Sequence, residues 1–102
     1  MNSNIVVDQR IVHKLGQKTA MVLWKLHAGG FYSNNFLEVN DELCEELSLS
    51  MFQFRKVRDF CKVLHLVDVT REGKPNRTKI SLNLERYNEI LVSPETDFGM
   101  KP

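Results

Sequence analysis

Positive charge is concentrated in two short segments in the second half of this chain. The bases of these segments are Arg55, Lys56, Arg58 and Lys62 in the first, and Arg71, Lys74 and Arg77 in the second. Guanidinium and ammonium groups neutralise phosphates, and an arginine can also form two hydrogen bonds with the edge of a guanine. The chemistry that these residue types indicate is the binding of a polyanion.

The net charge of +1 conceals an uneven distribution along the chain. Between residues 36 and 49 there are five acids and no lysine or arginine, whereas residues 50–80 contain eight bases and three acids. The local field of a surface, rather than the total charge of the protein, attracts a charged partner. We therefore expect the polyanion to meet the basic segments and to avoid the acidic one.

Nucleophilic, redox or metal chemistry has little support in the sequence. Cys44 and Cys61 are the only cysteines, they lack a C-x-x-C spacing, and three scattered histidines do not complete a zinc site. The two cysteines could form a disulfide, bind a metal or act as a nucleophile, but the sequence favours their burial as small core residues. Because no carboxylate pair, nucleophile–base set or glycine-rich phosphate loop is recognisable, we expect no enzyme activity, no cofactor and no small-molecule ligand.

Length and composition are those of one small globular domain. The chain has 102 residues, 42% of them hydrophobic and 26% charged, which suits a single modest core. We expect this domain to span residues 1–92 and the proline-containing segment 93–102 to be a disordered tail. No apolar run approaches the ~20 residues of a membrane span, and residues 1–4 do not resemble a signal peptide. A cytoplasmic location without membrane contact is therefore expected.

The first basic segment lies on the second of two consecutive predicted helices. Asn40 has the position of an N-cap for a short helix over residues 41–47, and acids in its first turn suit the helix dipole. After a turn, Ser50 and Gln53 have the spacing of a capping box, which predicts a second helix over residues 51–65. The buried face of this second helix is predicted to consist of Phe54, Val57, Cys61 and Leu64.

The second basic segment connects two predicted strands. Residues 66–70 and 78–83 are the strands, and the connection between them has glycine, proline and asparagine but no apolar residue. The other predicted elements are helices at 9–15, 17–28 and 84–92 and a short strand or extended segment at 36–39. The residues expected on the buried face of helix 17–28 are Ala20, Leu23, Trp24 and His27.

Taken together, these segments resemble the winged helix-turn-helix family. The residues that carry this resemblance are the turn at 47–50 and the apolar positions Phe54, Val57, Cys61, Leu64, Leu66 and Val67. Residues 73–78 and 80–83 look like the wing of phage and plasmid replication initiators and replisome organisers, which also have an upstream helix similar to residues 18–26. The resemblance implies a mainly α fold with a small β-hairpin (α+β), the winged helix-turn-helix.

The resemblance also implies binding of double-stranded DNA, by a small transcription regulator or by an origin-binding replication module of a mobile element. In such folds the second helix enters the major groove, whereas the wing contacts the phosphate backbone. The residues expected to contact DNA are Ser50, Met51, Phe52, Gln53, Arg55 and Lys56 on the helix, and Arg71, Lys74 and Arg77 on the wing. Among them, Gln53 could pair with adenine and Arg55 with guanine.

The sequence is also consistent with a second function, a winged-helix module that binds a protein and binds DNA only weakly. Phe52 is large and apolar for a DNA-facing position, so it contacts either thymine methyl groups or a protein partner. The acidic segment 41–46 also slightly favours a protein partner. The protein could also form a homodimer through residues 84–92 or 9–15. The sequence departs from the family pattern at His65, where the family usually has glycine.

Overall fold

The computed structural model of the protein describes residues 5–73 and 77–102. In this part of the chain, five helices and a three-stranded antiparallel sheet form an α+β arrangement. The elements are α1 (Gln9–Leu15), α2 (Gln17–Ala28), β1 (Leu37–Glu38), α3 (Asp41–Glu46), α4 (Met51–Val63), β2 (Val67–Glu72), β3 (Arg77–Leu82) and α5 (Leu84–Val92). The α+β class is confirmed, and the predicted helices and strands all lie within two residues of their predicted ends.

The sheet is larger than the predicted hairpin because β1 joins it, giving the strand order β1-β3-β2. The hairpin register places Val67 opposite Leu82 and Val69 opposite Ile80, and β1 adds Leu37 opposite Ile80. Since side chains alternate between the two faces of a sheet, these apolar residues share one face, which packs onto the core. The pairing of β1 with β3 joins residues far apart in the chain, and local sequence patterns do not predict it.

Helix α4 lies against the core face of the sheet and contacts β2, α2 and α3. Phe54, Val57 and Cys61 are fully buried, as predicted, whereas Leu64 is only half-buried because it is the C-cap residue at the end of the helix. Cys44 and Cys61 are both free and buried, which confirms that they are core residues.

The prediction for the buried face of α2 was partly wrong. Ala20 and Leu23 are buried, but Trp24 is only half-buried and His27 is exposed. The buried stripe is turned toward Val22 and Leu26, because α2 packs against α1, α4 and β3 rather than against a single neighbour. The His27 ring instead stacks on Tyr87 of α5, with the ring centroids 5.3 Å apart.

Three of the described helices end in the same hydrogen-bonded turn, in which a left-handed residue follows the C-cap. This residue is Gly30 after α2, Ser48 after α3 and His65 after α4, with φ angles of 73°, 57° and 62°. After α4, the amide of Leu66 donates to the carbonyl of Cys61 at 2.8 Å, which closes the turn. His65 thus adopts the conformation that glycine usually has at this point, at a cost in backbone strain.

Residues 93–102 follow α5 and form neither helix nor strand. Phe98 packs partly against the core, and the ammonium group of Lys101 donates to the carbonyl of His13 at 2.9 Å. The second of these contacts lies on α1. The predicted disorder of this segment stays a prediction. None of the helices in the described part of the chain has the length and apolar character that crossing a membrane requires.

Candidate nucleic-acid interface

An open cleft of about 400 Å³ lies between α4 and the sheet. The described residues that line it are Glu38, Val39, Met51, Arg55, Arg58, Arg71, Arg77 and Thr78. Arginines make up half of this lining, and Glu38 is its one acid among the described residues. A concave surface lined with one sign of charge concentrates the electrostatic field and attracts ions of opposite charge. We call this surface the arginine cleft.

The N-terminal half of α4 forms one wall of the arginine cleft, and a capping box fixes where the helix begins. The hydroxyl of Ser50 accepts from the amide of Gln53 at 3.0 Å, and the carboxamide oxygen of Gln53 accepts from the amide of Ser50 at 2.9 Å. With the start fixed, Met51 and Arg55 are four residues apart and lie on the same side of the helix. Both side chains line the cleft.

The hairpin forms the opposite wall of the cleft, and its register decides which bases face α4. Arg71 pairs with Thr78, and this pair continues the face that carries Val69 and Ile80 in the core. Arg71 therefore extends from the core face of the sheet, on the side where α4 lies. Its position opposite Arg55 gives the cleft a guanidinium group on each wall.

The outer face of the sheet, which points away from the core, has a different charge pattern. By the register, its charged residues are Glu38, Asp68, Glu72, Arg77 and Lys79. A guanidinium nitrogen of Arg77 lies 3.9 Å from a carboxylate oxygen of Glu38, and the Lys79 ammonium lies 3.7 Å from Glu72. Both bases of the outer face are thus next to acids, although Arg77 and Glu38 also reach the rim of the arginine cleft.

The structure brings some of the sequence-predicted site residues together and not others. Met51, Arg55, Arg71 and Arg77 line the cleft, whereas Ser50, Phe52, Gln53 and Lys56 lie on the same helix end outside it. Lys74 falls outside the described residues. The Gln53 carboxamide oxygen accepts the capping hydrogen bond, so a two-bond contact with adenine requires Gln53 to leave the cap.

Arg58 also lines the cleft, although it was not among the residues expected to contact DNA. Its guanidinium group binds the carboxylate of Asp59 on the same helix at 3.0 Å. The side chain is only 16% exposed, and it forms part of the cleft lining. Its spacing of three residues from Arg55 was the signal that could have identified it.

Comparison with protein-family models, with curated proteins and with solved structures gave no match to this chain.

Phe52 is exposed on the first turn of α4, beside the cleft rather than in it. Its side chain has 67% of its surface in solvent, and the Lys56 ammonium lies 4.9 Å from the centre of its ring. This distance permits a cation–π contact, which keeps the positive charge of Lys56 next to the apolar ring. The first turns of α4 therefore present an exposed aromatic ring with the cation of Lys56 beside it.

Residues 5–73 and 77–102 contain neither a metal-binding cluster nor a reactive thiol. No group of three or more histidines, cysteines, aspartates or glutamates could hold a metal ion there. Burial raises the pKa of the Cys61 thiol to about 12 and also raises the pKa of Cys44. Both cysteines are protonated at neutral pH, which is the unreactive form of a thiol.

Proposed function

We propose that this protein binds double-stranded DNA as a winged helix-turn-helix protein. In this proposal α3 and α4 form the helix-turn-helix, α4 is the recognition helix, and β2 and β3 form the wing. The observation that carries the proposal is the arginine cleft, in which Arg55 of the helix faces Arg71 of the wing. A DNA strand that enters the cleft would meet positive charge on both walls, and neutralisation of its phosphates is the main source of affinity for DNA.

The positions of the side chains indicate which residues would contact the bases and which would contact the phosphate backbone. The N-terminal end of a recognition helix lies nearest the base edges, so Arg55 and Lys56 are the proposed base-contacting residues of α4. Arg71 on the wing would bind the backbone and fix the position of the helix in the groove. Ser50 keeps its hydroxyl proton free for a phosphate while its oxygen serves the cap.

The proposal covers a small transcription regulator and an origin-binding module of a mobile element, since both require the same contacts with DNA. It includes a cytoplasmic location and no enzymatic step. A homodimer through α5 or α1 would place two recognition helices on DNA, and the spacing of the half-sites would report its geometry. Selection of bound sequences from a random DNA pool would reveal both the preferred site and this spacing.

A protein-interaction module is the second candidate function, and the exposure of Phe52 is the observation that favours it. An exposed aromatic side chain of this size often belongs to a contact surface. This function predicts a defined complex with a partner protein and weak DNA binding at physiological salt.

The test is a fluorescence anisotropy titration of the full chain against duplex DNA over a series of salt concentrations. We expect affinity to fall steeply with salt, because each neutralised phosphate releases counterions. The Arg55→Gln/Arg71→Gln variant should bind more weakly, and its slope of log affinity against log salt should fall by about 0.9 units, the value for the lost phosphate contact of Arg71. The control is Lys18→Gln/Lys101→Gln, which removes the same charge outside the cleft. Affinity that does not respond to salt would refute the proposal.

A further inference from the structure

The two faces of the sheet differ in the charge that they offer to a phosphate backbone. Among the described residues, the outer face carries three carboxylates and two bases, and each of these bases lies within 4 Å of a carboxylate. On the core side, Arg55 and Arg71 face each other across the cleft, and neither has an ion-pair partner among the described residues. A phosphate is therefore attracted to the cleft and repelled from the outer face.

We propose that Glu38 and Glu72 are positioning residues that confine the DNA backbone to the arginine cleft. This inference rests on the proposed function, and it adds a role for two acids, Glu38 at the rim of the cleft and Glu72 on the outer face of the sheet. Glu38 lies 3.9 Å from Arg77 at the rim of the cleft, and Glu72 lies 3.7 Å from Lys79 on the outer face, so each acid partly neutralises its neighbouring base. Without them, the wing would present bases on both faces, and a backbone could bind either face.

The path of the backbone matters because phosphate contacts set the position of a recognition helix in the groove. A wing that binds phosphates on one face gives α4 one approach to the base edges. A wing that is basic on both faces allows several approaches, most of which leave Arg55 away from the bases. The sheet register supports this role, because Glu38 is held on β1 directly opposite Lys79, its neighbour on β3.

The charge balance of the outer face predicts different roles for two bases of the same hairpin. Arg71→Gln should lower the salt slope (the slope of log affinity against log salt concentration) by about 0.9, the value for one lost phosphate contact. Lys79→Gln should change it by much less, because Lys79 is next to Glu72 and faces away from the cleft. The comparison is matched, since each variant removes one positive charge from the hairpin.

The decisive variant is Glu38→Gln/Glu72→Gln, measured with the full chain on a random-sequence duplex. We expect its affinity to rise by about two- to fivefold, the range for the release of weak exposed ion pairs. Adding Lys79→Gln to this variant should now lower the salt slope by about 0.9, since the released ammonium has become a phosphate contact. A merely structural role for the two acids would not move the salt slope, and thermal unfolding of each variant reports folding separately.

The control for a general charge effect is Glu42→Gln/Glu45→Gln, which removes two exposed acids of α3 instead. An equal rise in affinity in this control would overturn the proposal, and so would equal salt slopes for Arg71→Gln and Lys79→Gln in the otherwise unchanged protein. Both results assume salt-dependent binding by the unchanged protein. If that binding is absent, the proposed function fails, and the failure is distinguishable from failure of this inference.

Discussion

The ammonium group of Lys14 on α1 donates a hydrogen bond of 2.7 Å to the main-chain carbonyl of Ile90 at the end of α5. It also donates to the carbonyls of Leu91 and Ser93, and only 7% of the residue is exposed. The last carbonyls of a helix have no partner within it, and a cation there interacts favourably with the helix dipole. Lys14 therefore caps the last helix of the fold from the first one.

Lys14→Met should lower the free energy of unfolding by about 2 kcal/mol, because hydrogen bonds to a charged group are lost and carbonyls are left without a donor. Methionine keeps the length and apolar contacts of the lysine stem, so the loss reports mainly the ammonium group. The measurement is urea denaturation, and the control is Lys62→Met on the exposed side of α4. If the two variants lose the same stability, the capping role of Lys14 is refuted.

His65→Gly should stabilise the protein by about 0.5–1 kcal/mol. His65 has a φ of 62°, a region that costs a residue with a Cβ atom about 1 kcal/mol and costs glycine nothing. Part of the gain is offset because glycine is more flexible in the unfolded chain. His13→Gly on the regular helix α1 is the matched control, and it should destabilise. A lower melting temperature for His65→Gly would contradict the strain argument.

Helix ends were predictable from the sequence because their signals are local. Asn40, Ser50 and Gln53 each make the capping hydrogen bonds that their spacing predicted. The partner of β1 was not predictable, because the segment around Leu37 pairs with β3 through contacts that local periodicity does not encode. The left-handed conformation of His65 was not predictable from local sequence either, because local preference reserves that conformation for glycine. The burial of the next residue, Leu66, holds the turn in place in spite of this preference.

Thr19→Val should stabilise the protein by about 1 kcal/mol. Thr19 is fully buried in α2, and its hydroxyl has no hydrogen-bond partner among the described residues. An unsatisfied buried hydroxyl costs about 1–3 kcal/mol, and valine fills nearly the same space without it. Thr19→Ser is the control, because it keeps the hydroxyl but removes a buried methyl group, and it should destabilise. Calorimetric melting of the three proteins tests both signs, and a destabilised Thr19→Val would show that the hydroxyl is satisfied in solution.

Asp8 makes a small part of the stability dependent on pH. The side-chain hydrogen bond from Arg10 holds the pKa of Asp8 below its usual value of about 3.9, and the carboxylate also caps α1. A lowered pKa in the folded state stabilises the protein above the unfolded pKa, and this contribution is lost as the pH falls through the folded pKa. Because the pair is largely exposed, we expect only about 0.5 kcal/mol.

The measurement is the free energy of unfolding of Asp8→Asn relative to that of the unchanged protein, from pH 7 down to values below the folded pKa of Asp8. Asparagine keeps the cap acceptor, so the difference isolates the charge. It should be present at pH 7 and vanish at pH values below the folded pKa. A difference that does not change with pH would mean that the pairing with Arg10 contributes nothing to folding.

The candidate site was predictable only in part, for reasons that differ between its two walls. Helical periodicity placed Arg55 correctly on α4, since one capping box fixes the position of every side chain that follows. On the hairpin, Arg71 and Arg77 are close in sequence but belong to opposite faces of the sheet. Which of them faces α4 depends on strand register, and a shift of one residue would exchange the faces.

Phe52→Ser should weaken DNA binding about fivefold, equivalent to about 1 kcal/mol for loss of an apolar contact with a base. The ring is 67% exposed, so the substitution should leave the fold intact. Arg55 and Lys56, about one turn further along α4, favour a negatively charged partner over an apolar protein surface. Val63→Ser, at the other end of α4 and 76% exposed, is the matched control.

Thymine-to-uracil substitution in the selected DNA site identifies the contact that Phe52 makes. Uracil lacks the methyl group that apolar side chains recognise in the major groove. If Phe52 contacts this methyl group, the unchanged protein should bind the uracil duplex less tightly than the thymine duplex. The Phe52→Ser variant should bind the two duplexes equally tightly. If Phe52→Ser binds DNA normally but loses a partner protein, the exposed ring belongs to a protein interface, and the second candidate function gains the support that the first loses.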